Sequence, residues 1–141
     1  MPPERKLLHY MLINGEIVPT EDLLIWARWF EDPAERVIMQ TEDKEGRRLS
    51  TVFLGLDHNF GFGGSPILFE TMFFPGGKEE DNDGMWRYET LDQAKRGHAK
   101  LLKKLLSKPY IDVTPKKKQV PLAFKKAFND VKAPFNDLAS M

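Results

Sequence analysis

A two-residue turn near the start of the chain limits how the fold can begin. Asn14 and Gly15 separate the apolar residues 10–13 from residues 16–18. Both residue types tolerate the positive φ values of a tight hairpin turn, so the two runs are predicted to pair as antiparallel strands. Local pairing of this kind favours an antiparallel sheet with packed helices over a parallel, doubly wound sheet.

The next segment is predicted to be a helix over residues 21–31. Thr20 offers an N-cap oxygen, and Pro33 blocks continuation of the helix. One apolar stripe is predicted to face the core and consists of Leu23, Trp26, Ala27 and Phe30. A second stripe, Ile25 and Trp29, lies on a different side, where the C-terminal region, another subunit or a ligand must cover it.

Four further strands and a second helix complete the predicted domain. The strands are predicted at residues 36–41, 48–56, 67–74 and 86–89. Thr90 and Gln93 form a capping-box pattern that starts a helix ending near residue 105, with His98 on its core-facing side. Gly97 beside it allows another element to approach closely. The order of elements predicts an α+β domain of residues 1–106, with a mainly antiparallel sheet of five to six strands and two packed helices.

The C-terminal region differs from this domain in composition. Residues 107–141 are rich in Pro and Lys, and Phe124, Ala127, Phe128 and Val131 recur at helical spacing. They are predicted to form a basic linker and an amphipathic helix that docks on the domain or on another subunit. Residues 1–90 hold 9 Lys and Arg against 17 Asp and Glu, whereas residues 91–141 hold 12 against 4. These opposite charges favour a homo-oligomer.

Composition excludes several classes of protein. The chain has no cysteine, so it forms no disulfide and no thiolate metal site. No apolar run approaches the roughly 20 residues needed to cross a bilayer, and the first residues lead into no signal-like apolar segment. We therefore predict a cytoplasmic protein of about one domain, without a membrane partner and without a cofactor.

Ionisable residues within apolar segments indicate a candidate site. Asp57 and His58 follow one strand, and Glu70 lies inside the next, although buried ionisable groups are costly without partners. The candidate partners of Glu70 are Arg87, His58 and His98. A pair with Arg87 is a structural ion pair, whereas a pair with either histidine can bind a ligand or move a proton.

The glycine-rich loop after His58 adds backbone and aromatic groups to this site. Its N–H groups are suited to an anion nest, and Phe60 or Phe62 to stacking on a base; the same glycines also suit a simple change of chain direction. The predicted ligand-binding residues are Asp57, His58, Asn59, Phe60, Phe62, Glu70, Arg87 and His98. Asp57, His58, Glu70 and His98 are types that bind zinc, manganese or iron, but their spacing matches no metal motif, so we predict no metal.

Several segments together resemble a family of small, functionally uncharacterised proteins of bacteriophage and prophage genomes. They are residues 50–58 (STVFLGLDH), 68–72 (LFETM) and 86–90 (WRYET), followed by Ala94, Gly97 and His98. The similarity covers roughly residues 8–105. It implies a phage accessory role, including interference with a host process such as antiviral defence, and implies no particular chemistry. The long basic extension departs from the family's usual short pattern.

These observations predict a binding protein whose partner is a host protein or a nucleotide-like small molecule. The predicted partner surface consists of Ile25, Trp29, Phe124 and Phe128. One alternative is a small hydrolase in which His58 acts as base or metal ligand, with Asp57, Glu70 and His98 in support. A second alternative is nucleic-acid binding through the basic arm, with Lys116, Lys117, Lys118, Lys125 and Lys126.

Overall fold

The computed structural model of the protein describes residues 9–59, 64–78 and 82–117. The first elements are β1 (His9–Ile13), β2 (Glu16–Thr20), α1 (Leu23–Phe30) and α2 (Pro33–Arg36). They are followed by β3 (Val37–Glu42), β4 (Arg48–Phe53), β5 (Phe69–Phe74), β6 (Met85–Tyr88), α3 (Leu91–Leu105) and β7 (Ile111–Asp112). β1 and β2 form a hairpin, and the other strands form an antiparallel sheet in the order β6-β5-β4-β3-β7. The predicted α+β class is confirmed.

The turn between β1 and β2 is the predicted one. Asn14 has a φ of 51° and Gly15 a φ of 81°, as a two-residue hairpin turn requires. The register pairs Ile13 with Glu16 and extends to His9 and Thr20 at the open end. Both strands are therefore slightly longer than the sequence predicts.

Helix α1 begins two residues later than predicted because Asp22, not Thr20, is its N-cap. The Asp22 carboxylate accepts hydrogen bonds from the backbone N–H groups of Leu24 and Ile25, at 3.1 and 3.2 Å. Thr20 Oγ1 instead accepts a hydrogen bond from Asp22 N–H at 3.0 Å. The threonine thus positions the capping residue.

The predicted orientation of α1 is wrong at three positions. Leu23 is 57% exposed and Ala27 is exposed, whereas Trp29 is 3% exposed and belongs to the core. The ring of Trp29 packs edge to face on Phe53, with centroids 5.6 Å apart. This large aromatic contact turns the second stripe inward, and Ile25 also packs against the core, so Trp29 is not an available partner surface.

The two faces of the five-stranded sheet have different surroundings. The helix-covered face consists of Thr41, Leu49, Thr51, Phe53, Phe69, Thr71, Phe73, Trp86 and Tyr88, which face the β1–β2 hairpin, α1 and α3. The open face consists of Gln40, Arg48, Ser50, Val52, Glu70, Met72, Phe74, Met85 and Arg87. Among the described elements, α2 contributes residues to a cavity on this open face.

Strands β4 and β5 are shorter than predicted. Gly55 has a φ of 79°, and a Cβ at this position would lie 3.2 Å from the Phe30 ring, so the chain turns where only glycine fits. The predicted linker contains β7, which pairs Ile111 with Glu42 at the edge of the sheet. The predicted helix around Phe124 and Phe128 lies outside the described residues.

Candidate functional site

Asp57 and His58 close the base of the glycine-rich loop. Asp57 Oδ1 accepts hydrogen bonds from the N–H groups of Asn59 and Ile67, at 2.8 and 2.9 Å. His58 N–H donates to the Ile67 carbonyl at 2.9 Å, and His58 Nδ1 lies 3.0 Å from the Leu56 carbonyl oxygen. These contacts give Asp57 and His58 a role in loop conformation. Phe60 and Phe62 lie outside the described residues.

Glu70 forms an ion pair with Arg87 on the open face. The two residues are cross-strand partners on β5 and β6, and Arg87 Nε donates to Glu70 Oε2 at 3.0 Å. Glu70 is 7% exposed, so a partner is needed to offset the cost of burying its carboxylate. Of the three partners predicted from the sequence, Arg87 is the one that the structure shows.

His98 lies on the opposite side of the sheet from Glu70. It is fully buried, with Nδ1 2.7 Å from Thr51 Oγ1 and Nε2 3.0 Å from Thr41 Oγ1. Thr51 Oγ1 also lies 2.6 Å from Thr71 Oγ1. Burial lowers the pKa of His98 to about 4, although Asp112 acts in the opposite direction. The imidazole is therefore neutral near pH 7. It joins α3 directly to β3 and β4, and Thr51 extends the network to Thr71 on β5.

The predicted site residues therefore divide among three places. Asp57, His58 and Asn59 lie in the loop, Glu70 and Arg87 on the open face, and His98 beneath α3. In the described ranges no group of three or more His, Asp or Glu side chains is arranged to hold a metal ion. The carboxylate and imidazole groups do not converge on one reacting atom there.

A cavity on the open face is a stronger candidate site. Its volume is about 220 Å³, and it is lined by Pro33, Arg36, Val37, Gln40, Arg48, Ser50, Val52 and Phe74. The sheet supplies its floor because Gln40 is paired with Ser50, Val37 with Val52, and Arg48 with Phe74. The lining combines two cations, an amide, a hydroxyl and apolar groups.

Both cavity arginines have a nitrogen that lacks a hydrogen-bond acceptor. Arg36 Nε and Arg48 Nε are buried without a hydrogen-bond partner, and neither residue forms an ion pair in the described ranges. Each guanidinium group instead lies over an aromatic ring, at 4.0 Å from the Phe30 centroid for Arg36 and 5.2 Å from the Phe74 centroid for Arg48. Cation–π contacts stabilise the cations but do not satisfy their N–H donors.

The centre of the cavity floor is polar. Gln40 Nε2 donates to Ser50 Oγ at 3.0 Å, which leaves the serine hydroxyl proton able to donate to another group. Gln40 is also held by the chain after β7, because its backbone N–H donates to Thr114 Oγ1 at 2.9 Å. The arrangement presents fixed donors between two cationic groups.

The sequence contains a partial signal for this cavity. Strand alternation places Arg48, Ser50 and Val52 on one face of β4, and this pattern was readable from the predicted strand. The sequence predicts Arg36 to be the first residue of a strand, whereas in the structure it is the last residue of the one-turn helix α2. The register between β3 and β4 then brings the two arginines to one cavity, and that long-range pairing is not encoded in a local pattern.

Comparisons with known proteins return no relative. No protein-family model matches the chain, and no curated protein or solved structure matches it at a significant level. None of the described helices is both long enough and apolar enough to cross a membrane.

Proposed function

We propose that the protein binds a small organic anion in the open-face cavity. The observation that carries this proposal is that two arginines without an ion pair in the described ranges, Arg36 and Arg48, line one cavity together with the hydrogen-bonded Gln40 and Ser50. A carboxylate or phosphate in the cavity neutralises the guanidinium charge and forms charge-assisted hydrogen bonds, which are stronger than neutral ones.

The size of the cavity restricts the ligand. Its volume of about 220 Å³ is below the roughly 300–1,000 Å³ of sites that enclose drug-sized ligands. A nucleotide-like molecule would therefore insert only one part, such as its phosphate, while a smaller organic acid would be enclosed. The apolar side chains of Val37, Val52 and Phe74 favour an acid with a hydrocarbon body over an inorganic ion.

The other predicted functions find less support in the described contacts. A hydrolase centred on His58 needs Asp57 and Glu70 nearby, but Asp57 accepts two backbone N–H groups of its own loop and Glu70 pairs with Arg87. Binding of a host protein, a phage accessory role and nucleic-acid binding through the basic arm remain predictions from the sequence. The ligand-binding proposal is compatible with a phage accessory role.

Isothermal titration calorimetry tests the proposal with two anions and their uncharged analogues. The pairs are AMP with adenosine, and adipate with adipamide. We expect at least one anion to bind while its neutral analogue does not. Arg48→Gln should weaken that binding at least tenfold, since a hydrogen bond to a charged group contributes about 1.5–3 kcal/mol.

Arg96 provides the matched control because it is an exposed arginine on α3, paired with Asp92 at 2.6 Å. Arg96→Gln removes the same charge and should leave anion affinity unchanged. Equal binding of anions and neutral analogues, equal losses in Arg48→Gln and Arg96→Gln, or no binding of either anion would contradict the proposal.

A further inference from the structure

The last described residues run along the edge of the sheet toward α2. After β7, the backbone N–H of Val113 donates to the Gln40 carbonyl at 2.9 Å. Because β7 is antiparallel to β3, the residues that follow pass the start of β3 and approach α2. Burial raises the pKa of Glu35 on α2, and Lys117 is near enough to act in the opposite direction. The described chain therefore ends where α2 borders the open face of the sheet.

The open face carries apolar side chains beyond the cavity. Met72 is paired with Met85 across β5 and β6, and Met85 is 47% exposed. Val52 lies on the same face of β4 and lines the cavity. Within the described ranges, α1 and α3 pack on the opposite face of the sheet, and α2 borders the open face at the end near Val52. The two methionines therefore lie on a face that α1 and α3 do not cover.

Residues 118–141 have a suitable length and composition to cover these side chains. A helix over the predicted apolar stripe, from Phe124 to Val131, is roughly 11 Å long at about 1.5 Å per residue. The six residues 118–123 reach up to about 20 Å when they are extended. From β3 to β6 the sheet is three strand spacings wide, or roughly 15 Å. The stripe can therefore reach Met85 from the end of the described chain, and it needs a surface that covers it.

We infer that the open face of the sheet binds residues 118–141 of the same chain, with the apolar stripe of that segment packed on Val52, Met72 and Met85. The occupant is the chain's own segment because Lys117 already lies at the border of this face. A short tether also keeps the segment at a high effective concentration, an advantage that a second copy of the chain does not have. Packing of the stripe on the methionines removes apolar surface from water. This inference does not depend on the proposed anion site.

Paramagnetic relaxation enhancement in the full-length protein tests this inference. The chain has no cysteine, so Asn129→Cys provides a single attachment site for a nitroxide next to the stripe. The methyl signals of ¹³C-labelled Met and Leu then report their distance from the nitroxide. We expect Met72 and Met85 to lose most of their signal, and Met11, which is buried on the other side of the sheet, to lose much less. Uniform weak broadening, or the strongest broadening at the exposed leucines of α1, would overturn the inference.

A mixed sample distinguishes the same chain from a second copy. Nitroxide-labelled protein without ¹³C is mixed with ¹³C-labelled protein that carries no nitroxide. We expect no broadening of Met72 and Met85 in this mixture. Broadening as strong as in the singly prepared sample would assign the surface to a second copy and overturn the inference.

Two substitutions test whether the apolar stripe makes the contact. Phe128→Ser in the nitroxide-labelled protein should restore the Met72 and Met85 signals. The control is Lys126→Ser, which changes a residue on the opposite side of the predicted helix and should leave the broadening in place. The Met11 signal shows that each variant remains folded. Restored signals in both variants, or in neither, would contradict docking through the stripe.

Discussion

Thr51 Oγ1 lies 2.7 Å from Nδ1 of His98, and this hydrogen bond joins the central strand β4 to helix α3. The same hydroxyl lies 2.6 Å from Thr71 Oγ1, so Thr51 has a hydrogen-bond partner on α3 and another on β5. Both Thr51 and His98 are fully buried. The contact is thus a polar connection within the core. If one partner were removed, water could take its place only after a structural change.

We expect Thr51→Val to reduce the free energy of unfolding by about 1–3 kcal/mol. The substitution preserves the shape of the side chain but leaves a nitrogen of His98 and the hydroxyl of Thr71 without this partner. Denaturant unfolding measures the change. In a His98→Leu background, Thr51→Val should reduce the free energy of unfolding by less than it does in the wild-type protein. Equal reductions in the two backgrounds would show that the two residues are not energetically coupled.

The pH dependence of stability provides a second test of the same network. Burial lowers the pKa of folded-state His98 from 6.5 to about 4. As pH falls from 6.5 to 4, the unfolded state takes up a proton that the folded state excludes, so the free energy of unfolding falls. The fall is at most about 3 kcal/mol.

His98→Leu should remove this component, and unfolding curves measured between pH 7 and pH 4 would show a flatter profile. A wild-type profile that is flat across this window, or an unchanged slope in His98→Leu, would contradict the assignment.

Asp43 joins the β3–β4 turn to the segment that follows α3. Its carboxylate accepts hydrogen bonds from Glu45 N–H, Arg47 N–H and Arg47 Nε, and from Ser107 N–H at 3.0 Å. Burial acts to raise the pKa of Asp43, but the hydrogen bonds from Ser107 and Arg47 outweigh it and lower the pKa to about 2. The carboxylate therefore contributes stability above pH 3.8 that is lost as pH falls toward 2.

Asp43→Ala should reduce the free energy of unfolding by about 2–4 kcal/mol, since several N–H donors lose their acceptor at once. Asp92→Ala is the control because Asp92 forms an exposed ion pair with Arg96, and it should change stability by less than about 1 kcal/mol. Chemical denaturation of both variants measures the difference. Similar effects of the two substitutions would show that Asp43 has no special structural role.

Gly97 is a position where alanine should have an unusual effect. A Cβ there would lie 2.5 Å from Cε1 and Cζ of Tyr88, so the side chain has no room. In an open helix, glycine to alanine stabilises by about 1 kcal/mol. We expect Gly97→Ala to destabilise instead, by about 1–3 kcal/mol, because the overlap displaces α3 or the tyrosine ring.

Thermal unfolding of Gly97→Ala shows whether the substitution stabilises or destabilises the protein. Adding Tyr88→Ala tests whether overlap with the tyrosine ring is the cause. In a Tyr88→Ala background the added methyl group has space, so Gly97→Ala should become neutral or stabilising. A stabilising effect in the wild-type background would show that α3 and β6 are less closely packed than the structure indicates.

The sequence predicted those elements that are determined by a few neighbouring residues. The turn at Asn14 and Gly15 requires only two backbone conformations, and the capping box of Thr90 and Gln93 requires contacts within one helical turn. The close approach at Gly97 also followed from residue size. The burial of Trp29 was missed because two adjacent stripes on α1 compete, and only the packed Phe53 decides between them.

Features that depend on distant pairing were not predictable in the same way. β7 has two residues, and its pairing with β3 is visible only when residues 111 and 42 are brought together. His98 was correctly placed in the core, but its partners Thr41 and Thr51 lie on two different strands, far from it in sequence. The open-face cavity similarly depends on the register that aligns Gln40 with Ser50.

The most direct test of the central claim is an NMR titration that follows the Nε–H signals of the arginine side chains. Adipate is added to ¹⁵N-labelled protein, with adipamide as the control. We predict that adipate shifts the Nε–H signals of Arg36 and Arg48 and leaves the Arg96 signal in place, because the bound anion pairs with the two guanidinium groups that line the cavity. Shifts confined to the backbone signals of residues 57–65, or no shift at Arg36 and Arg48 under saturating adipate, would contradict the assignment of the cavity as the anion site.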